Sequence, residues 1–222
     1  MTKNNKKVIS EIQKDFQLVL NNLLEKKYIR DHNEFSIKNT TQQTSLVTRP
    51  NRQKESNILF DRETSISNIA ETLLYNREYN LLLYDKGIFQ FEFEIYNGKI
   101  IKERFVFIKK QNKLWNKEEI SFLDNDELAE DWFIDEIGIP IIIRVDFDEN
   151  NYVEMKHPKS HMTISNYDEC RIPMQGPISI SKFVNFVLNI FYNDDIEVLD
   201  CIYDEIITIS NKEKELLHFE WI

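Results

Sequence analysis

The sequence predicts an α+β fold, an antiparallel β-sheet with at least two hairpins packed against N-terminal and C-terminal helices. Three observations predict it. Apolar residues near the start recur at helical spacing. Apolar and polar residues alternate in the middle, around an Asn-Gly pair. A serine-capped apolar run of helical period lies toward the end.

Residues 6–27 place Val8, Ile9, Ile12, Phe16, Val19, Leu20, Leu23 and Leu24 on one stripe, the pattern of an amphipathic helix. Such a helix either binds a partner or packs on its own core. Residues 36–57 are polar and set Lys38, Arg49, Arg52 and Lys54 against the single acid Glu55. They read as a basic loop, either simply solvated or able to meet phosphate. A second helix is expected over 65–78, capped by Ser65 or Ser67, with Ile66, Ile69, Ala70, Leu73 and Leu74 as its buried stripe.

Leu81–Tyr84 is a short apolar run. In "GIFQFEFEIYNGKIIKERFVFIKK", Phe89, Phe91, Phe93 and Ile95 alternate with Gln90, Glu92 and Glu94, and Asn97-Gly98 supplies the two positive φ values of a type I′ turn. The polar segment Asp124–Asp131 reads as partly helical and "IPIIIRVDFD" as a strand. With residues 149–151 as the next loop, Asp148 faces Tyr152, Asp146 faces Glu154 and Arg144 faces Lys156, so the charges form one strip. "GPISISKFVNFVLNIFY" reads as a helix capped by Ser179 or Ser181, and the tail from Asp195 as helical. One domain is expected over 1–222, with a helical arm and polar loop over 1–57 and the core over 58–222.

Composition narrows the function classes. Of 222 residues, 41% are hydrophobic and 30% charged, the balance of a globular chain and not of a disordered one. No apolar run reaches the ~18 residues that span a bilayer. The basic N-terminus lacks the apolar stretch of a signal peptide, so a cytoplasmic place and no membrane partner are expected. Two cysteines, Cys170 and Cys201, are too few for a disulfide scaffold. The isolated Gly87, Gly98, Gly138 and Gly176 exclude a P-loop and a dinucleotide fingerprint. A net charge of −10 argues against a surface wholly built for nucleic acid, while leaving room for a local basic groove.

The densest chemistry is "MKHPKSHMTISNYDECRIP", Met155–Pro173. His157 precedes a proline and is expected to be extended. Pro158 then opens a tight turn or a short helix, and either places His161 one turn away. Paired imidazoles split their proton affinities, so one serves as base while the other serves as acid. That chemistry cleaves RNA without metal, with Lys156, Lys159 and Arg171 on phosphate. Two other readings stay open: a metal pair seeking a third ligand among Asp146, Glu154, Cys170 and His218, or two rings that pin a turn. Asp146 with Glu154-x-Lys156 also has the pattern of a Mg²⁺-dependent PD-(D/E)xK nuclease, or of an ordinary charged hairpin face. Cys170 beside Arg171 is a candidate nucleophile or an inert buried thiol.

"RVDFD", "HPKSH", "CRIP" and Phe183, Phe186, Phe191 and Tyr192, in that order, together with "DKGIFQFEFE" and Arg104, resemble a bacterial family classed only as a domain of unknown function. The resemblance spans roughly residues 80–192 and falls on Arg144, Asp146, Asp148, His157, Pro158, Ser160, His161, Arg171 and Pro173. It implies a gene scattered through bacterial genomes in the manner of phage-defence, restriction or toxin genes. The expectation is a cytosolic effector that cleaves RNA or another nucleic acid. His157 and His161 are its acid–base pair, with Asp146 to orient them. Arg144, Lys156, Lys159, Ser160 and Arg171 hold substrate. It works without cofactor or with a divalent metal. The alternative is a non-catalytic, antitoxin-like subunit that binds a protein encoded by a neighbouring gene.

Overall fold

The computed structural model describes residues 1–52, 64–109, 141–165, 170–201 and 206–215. Among these, nine strands form one sheet: β1 (Ile29–His32), β2 (Ser36–Asn39), β3 (Thr44–Thr48), β4 (Leu81–Leu83), β5 (Ile88–Tyr96), β6 (Lys99–Lys109), β7 (Ile141–Asp148), β8 (Ser160–Ile164) and β9 (Ile172–Pro173). Their order is β1-β4-β5-β6-β7-β8-β9. The β2–β3 hairpin joins the same edge of β5 as β4, farther along the strand. All the pairings are antiparallel, which meets the α+β expectation.

Helices α1 (Lys3–Glu25) and α3 (Ile180–Tyr192) cover one face, and α2 (Ile66–Tyr75) covers part of the other. The odd residues of β5 face α1 and α3. There Phe89, Phe91, Phe93, Phe105 and Phe107 pack with Phe16 and Phe183, Phe89 and Phe91 stacked and the other pairs tilted or edge-on. Such geometry suits the aromatic quadrupole and adds to the burial itself. On the outer face Ile88, Val106, Ile108 and Ile142 pack under Ile69, Ala70 and Leu73 of α2. Beyond that patch the outer face becomes charged.

Local chemistry sets the element ends. The hydroxyls of Thr2, Ser65 and Ser179 accept N–H groups three residues on, from Asn5, Asn68 and Lys182. Asn97 and Gly98 both have positive φ, as a type I′ turn requires. A Cβ on Gly98 would lie 2.6 Å from Cβ of Asn4, and its N–H donates to Oδ1 of Asn5 at 2.6 Å, so α1 starts against this turn.

Three expectations are corrected. The polar loop read over 36–57 holds β2 and β3, with Val47 in the core. Alternation was masked there because β2 is mostly exposed. The tail from Asp195 is not helical over 195–201 or 206–210, and only α4 (Asn211–Glu215) is. The β7 register also differs, as described below. Asp124–Asp131, Lys54, Glu55, Gly138 and His218 lie outside the described residues. Among the described residues, no helix is long and apolar enough to cross a membrane.

Asp15 of α1 is buried, and its Oδ2 accepts the N–H groups of Ile180 (2.7 Å) and Ser181 (3.3 Å) at the start of α3. A carboxylate satisfies these unpaired donors and meets the positive end of the helix dipole. Asp15→Ala is therefore expected to cost about 2–3 kcal/mol in urea unfolding. A loss near zero would show that the two helices are docked by apolar contact alone.

Candidate functional site

Strand register builds the outer face in rungs. The central rung runs Glu92, Arg104, Asp146, His161 across β5, β6, β7 and β8. On one side lies Gln90, Val106, Arg144, Thr163, and on the other Leu46, Glu94, Lys102, Asp148.

Asp146 is the hub. Its Oδ1 accepts Arg104 Nε at 2.7 Å and its Oδ2 accepts Arg144 Nε at 2.6 Å. Nε2 of His161 stands 3.9 Å from Oδ2. Burial opposes the ionised form, but the two guanidiniums outweigh it and hold the carboxyl below its ordinary pKa. Asp148 behaves alike: burial opposes ionisation, and hydrogen bonds from Asn151, the Asn150 N–H and Lys102 win. Farther along, Glu92 takes Arg52 Nε at 3.0 Å and lies 3.7 Å from Arg49, which also pairs with buried Glu78 at 3.3 Å.

His161 is 2% exposed. Its Nδ1 lies 3.0 Å from the Pro158 carbonyl oxygen. A carbonyl only accepts, so Nδ1 carries the proton and Nε2 turns toward Asp146. Burial lowers the His161 pKa, and the attraction of Asp146 opposes it without reversing it. The His157 ring packs edge-on against it, centroids 5.0 Å apart and planes at 73°. His157 is half-buried, closing a turn in which its N–H and carbonyl both bond Val153 (2.7 and 3.0 Å) around left-handed Met155. Two buried atoms here have no hydrogen-bond partner among the described residues: Nδ1 of His157 and Nε of Arg171. Arg171 reaches the same turn, donating from one terminal nitrogen to the Lys156 carbonyl at 3.3 Å.

The C-terminal segment straps this turn. Ser210 and Glu213 form a reciprocal capping box, the Glu213 N–H donating to the Ser210 hydroxyl and the Ser210 N–H to Glu213 Oε2. Glu213 Oε1 accepts the Met155 N–H at 3.3 Å, Lys212 pairs with Glu154 at 3.0 Å, and the Thr208 hydroxyl donates to Ser160 at 3.1 Å.

The structure thus brings His157, His161, Asp146, Arg144 and Arg171 together. It does not bring the others. Ser160 is buried and bonded to Thr208; Lys156 is exposed on the turn. Lys159 stands 5.7 Å from the Tyr152 ring and lines a separate groove of about 510 Å³ with Val8, Phe147 and Ile207. The expected pairing of Asp146 with Glu154 is corrected: Asp146 pairs with His161 and Arg144 with Thr163. Glu154 and Lys156 lie in the turn, and Arg144, Asp146 and Asp148 are buried instead of forming an exposed strip. That separates the three residues of the Mg²⁺-nuclease pattern. Pro158 likewise follows the turn instead of opening one. Among the described residues no group of three His, Cys, Asp or Glu side chains is placed to hold a metal ion. Cys170 is half-buried. The sequence reading missed the Arg104–Asp146 pair, which needs strand pairing to be seen. It also missed the capping box, whose Ser-x-x-Glu spacing was readable.

Residues 28–221 match the model of a family described as an uncharacterized conserved protein (DUF2290). The chain belongs to this family. No curated protein and no solved structure matches it. The family span contains every rung of the outer face, the turn and the strap, and leaves out only α1 among the described elements.

Two outcomes test this geometry. Asp146→Ala leaves two guanidiniums without their carboxylate and is expected to cost about 3–5 kcal/mol in chemical denaturation. His161 has a folded pKa below its unfolded value, so the unfolded state binds its proton first. Stability is therefore full above about pH 6.5 and falls as the pH drops from there through the folded pKa. His161→Gln is expected to flatten the stability profile between pH 7 and 5; an unchanged slope would remove His161 as its source.

Proposed function

We propose that this chain binds the phosphodiester backbone of RNA at the His157–Arg171 corner and cleaves it by proton transfer through His157. The observation that carries the reading is the pair of buried, unpartnered nitrogens, His157 Nδ1 and Arg171 Nε, in one cluster. Buried polar atoms without partners are costly and rare. An arginine N–H and an imidazole nitrogen together match a phosphate oxygen beside a hydroxyl.

His157 takes the 2′-hydroxyl proton as the 2′-oxygen bonds to phosphorus. The bond from phosphorus to the 5′-oxygen then breaks, and the same proton passes to that oxygen. The products are a 2′,3′-cyclic phosphate and a 5′-hydroxyl, with no net proton change. His157 and Arg171 are half-buried residues at the surface, whereas His161 is almost fully covered and lies behind them, so it does not touch the substrate. It packs edge-on against His157 and orients that ring. Asp146 and Arg144 hold the floor beneath. The family resemblance favours a bacterial defence or toxin setting for such an activity.

The experiment incubates pure protein with labelled single-stranded RNA and DNA, with and without EDTA. RNA cleavage that persists in EDTA is expected, reduced about 10²–10⁴-fold by His157→Ala. Arg171→Ala is expected to raise KM more than it lowers kcat. Equal activity in His157→Ala would remove the proposal. A second reading, a protein-binding subunit, is favoured by one observation: Val153 and Met155 on the same turn are 51% and 44% exposed. It would be recognised by binding to the product of a neighbouring gene that Val153→Ser with Met155→Ser abolishes.

A further inference from the structure

A polar cleft of about 510 Å³ lies on the outer face beside the central rung, lined by Thr40, Leu46, Arg52, Glu92, Glu94, Lys102 and Arg104. Its size is within the roughly 300–1,000 Å³ of small-molecule sites. Most of its charges are occupied. Arg52 bonds Glu92, Lys102 bonds Asp148 at 3.2 Å, and Arg104 bonds Asp146. Glu94 is the exception. Its cross-strand neighbour is Lys102, whose ammonium is drawn to Asp148 instead. Among the described residues the Glu94 side chain makes no hydrogen bond and no ion pair, and it is half-buried in the cleft wall beside Leu46 and near the exposed Thr40.

A half-buried carboxylate beside an apolar side chain suits a flat ligand that offers two adjacent N–H donors. Of the four RNA bases only guanine does so, through N1–H and its exocyclic amine. Adenine, cytosine and uracil each set an acceptor next to their donor, which a carboxylate repels. The cleft also opens on the same sheet face as the central rung that ends at His161. Arg104 is one strand away from Glu94 and β8 is three away, about 5 and 14 Å at ordinary strand spacing. A nucleoside seated on Glu94 can therefore lay its 3′-phosphate on the Arg104 side of the cleft, with RNA beyond that phosphate running on toward β8.

We infer that this cleft is a guanine subsite, with Glu94 reading the base and the Arg104 side of the cleft receiving the phosphate end. This rests on the RNA reading above and names its sequence preference. Bases of single-stranded RNA are read in this way, by hydrogen bonds to exposed edges.

The test is isothermal titration of the full chain with guanosine, adenosine, cytidine and uridine 3′-monophosphates and with inorganic phosphate. Guanosine monophosphate is expected to bind at least about tenfold tighter than the other three, the value of a charge-assisted hydrogen-bond pair. Glu94→Gln keeps the side-chain shape, touches no partner, and is expected to remove that preference, bringing guanosine monophosphate affinity level with that of the other three. Equal affinity for all four nucleotides, or a preference that survives Glu94→Gln, overturns the guanine subsite and leaves phosphate recognition standing. Failure of every nucleotide and of phosphate to bind overturns both.

Discussion

A buried carboxylate cannot stay ionised unless opposite charge reaches it, and Asp146 is reached from two strands. Arg104 comes from β6 and Arg144 from two residues back on β7. Each guanidinium is in turn too costly to leave near the interior without that carboxylate. The three groups therefore hold β6 and β7 in a single register, because a slip of one residue would put the acid among the phenylalanines of the other face. In that register β8 presents His161 opposite Asp146. The ion triad thus sets the charge that the histidine pair meets.

Features legible in the sequence are those whose cause is local. Asn97-Gly98 names its turn because few other residue pairs tolerate two positive φ values. Ser65 and Ser179 name their helices because a hydroxyl bonds three residues away. The alternation of Phe89, Phe91, Phe93 and Ile95 names a strand with one buried face. The register from β7 to β8 was not legible, for a physical reason. Val153 and Met155 continue the apolar–polar beat of Val145 and Phe147, so the chain reads as though the returning strand began at Tyr152. It does not begin there, because Met155 takes a left-handed conformation and Val153 bonds His157, spending the segment on a turn. The return starts at Ser160. One misplaced start exchanges Glu154 for His161 opposite Asp146, and with it a metal site for an imidazole.

The motif His-Pro-Lys-Ser-His looks in sequence like five candidate groups. The fold gives them different tasks. Pro158 offers its carbonyl to His161, Ser160 ties the strand to Thr208, and Lys159 turns to another groove. Only His157 keeps a buried ring nitrogen without a partner. A site of this kind depends on distant chain. The capping box at Ser210 and Glu213 holds the Met155 amide, and so fixes the turn from which His157 projects. A change in α4 would therefore act on His157 without touching it.

The net charge of −10 is compatible with the proposed phosphate site once the cations are counted with their partners. Arg49, Arg52, Lys102, Arg104 and Arg144 crowd one face, yet each is answered by Glu78, Glu92, Asp148 or Asp146. Such a face has little net field and draws nucleic acid weakly from a distance. Its merit is geometric. A guanidinium bonded through Nε to a fixed carboxylate cannot rotate, so its position is set before any ligand arrives, and little side-chain freedom is lost on binding. On the reading proposed above, a surface built this way selects an anion by shape and donor placement. It is poorly suited to coating a long duplex and well suited to one phosphate held beside one base.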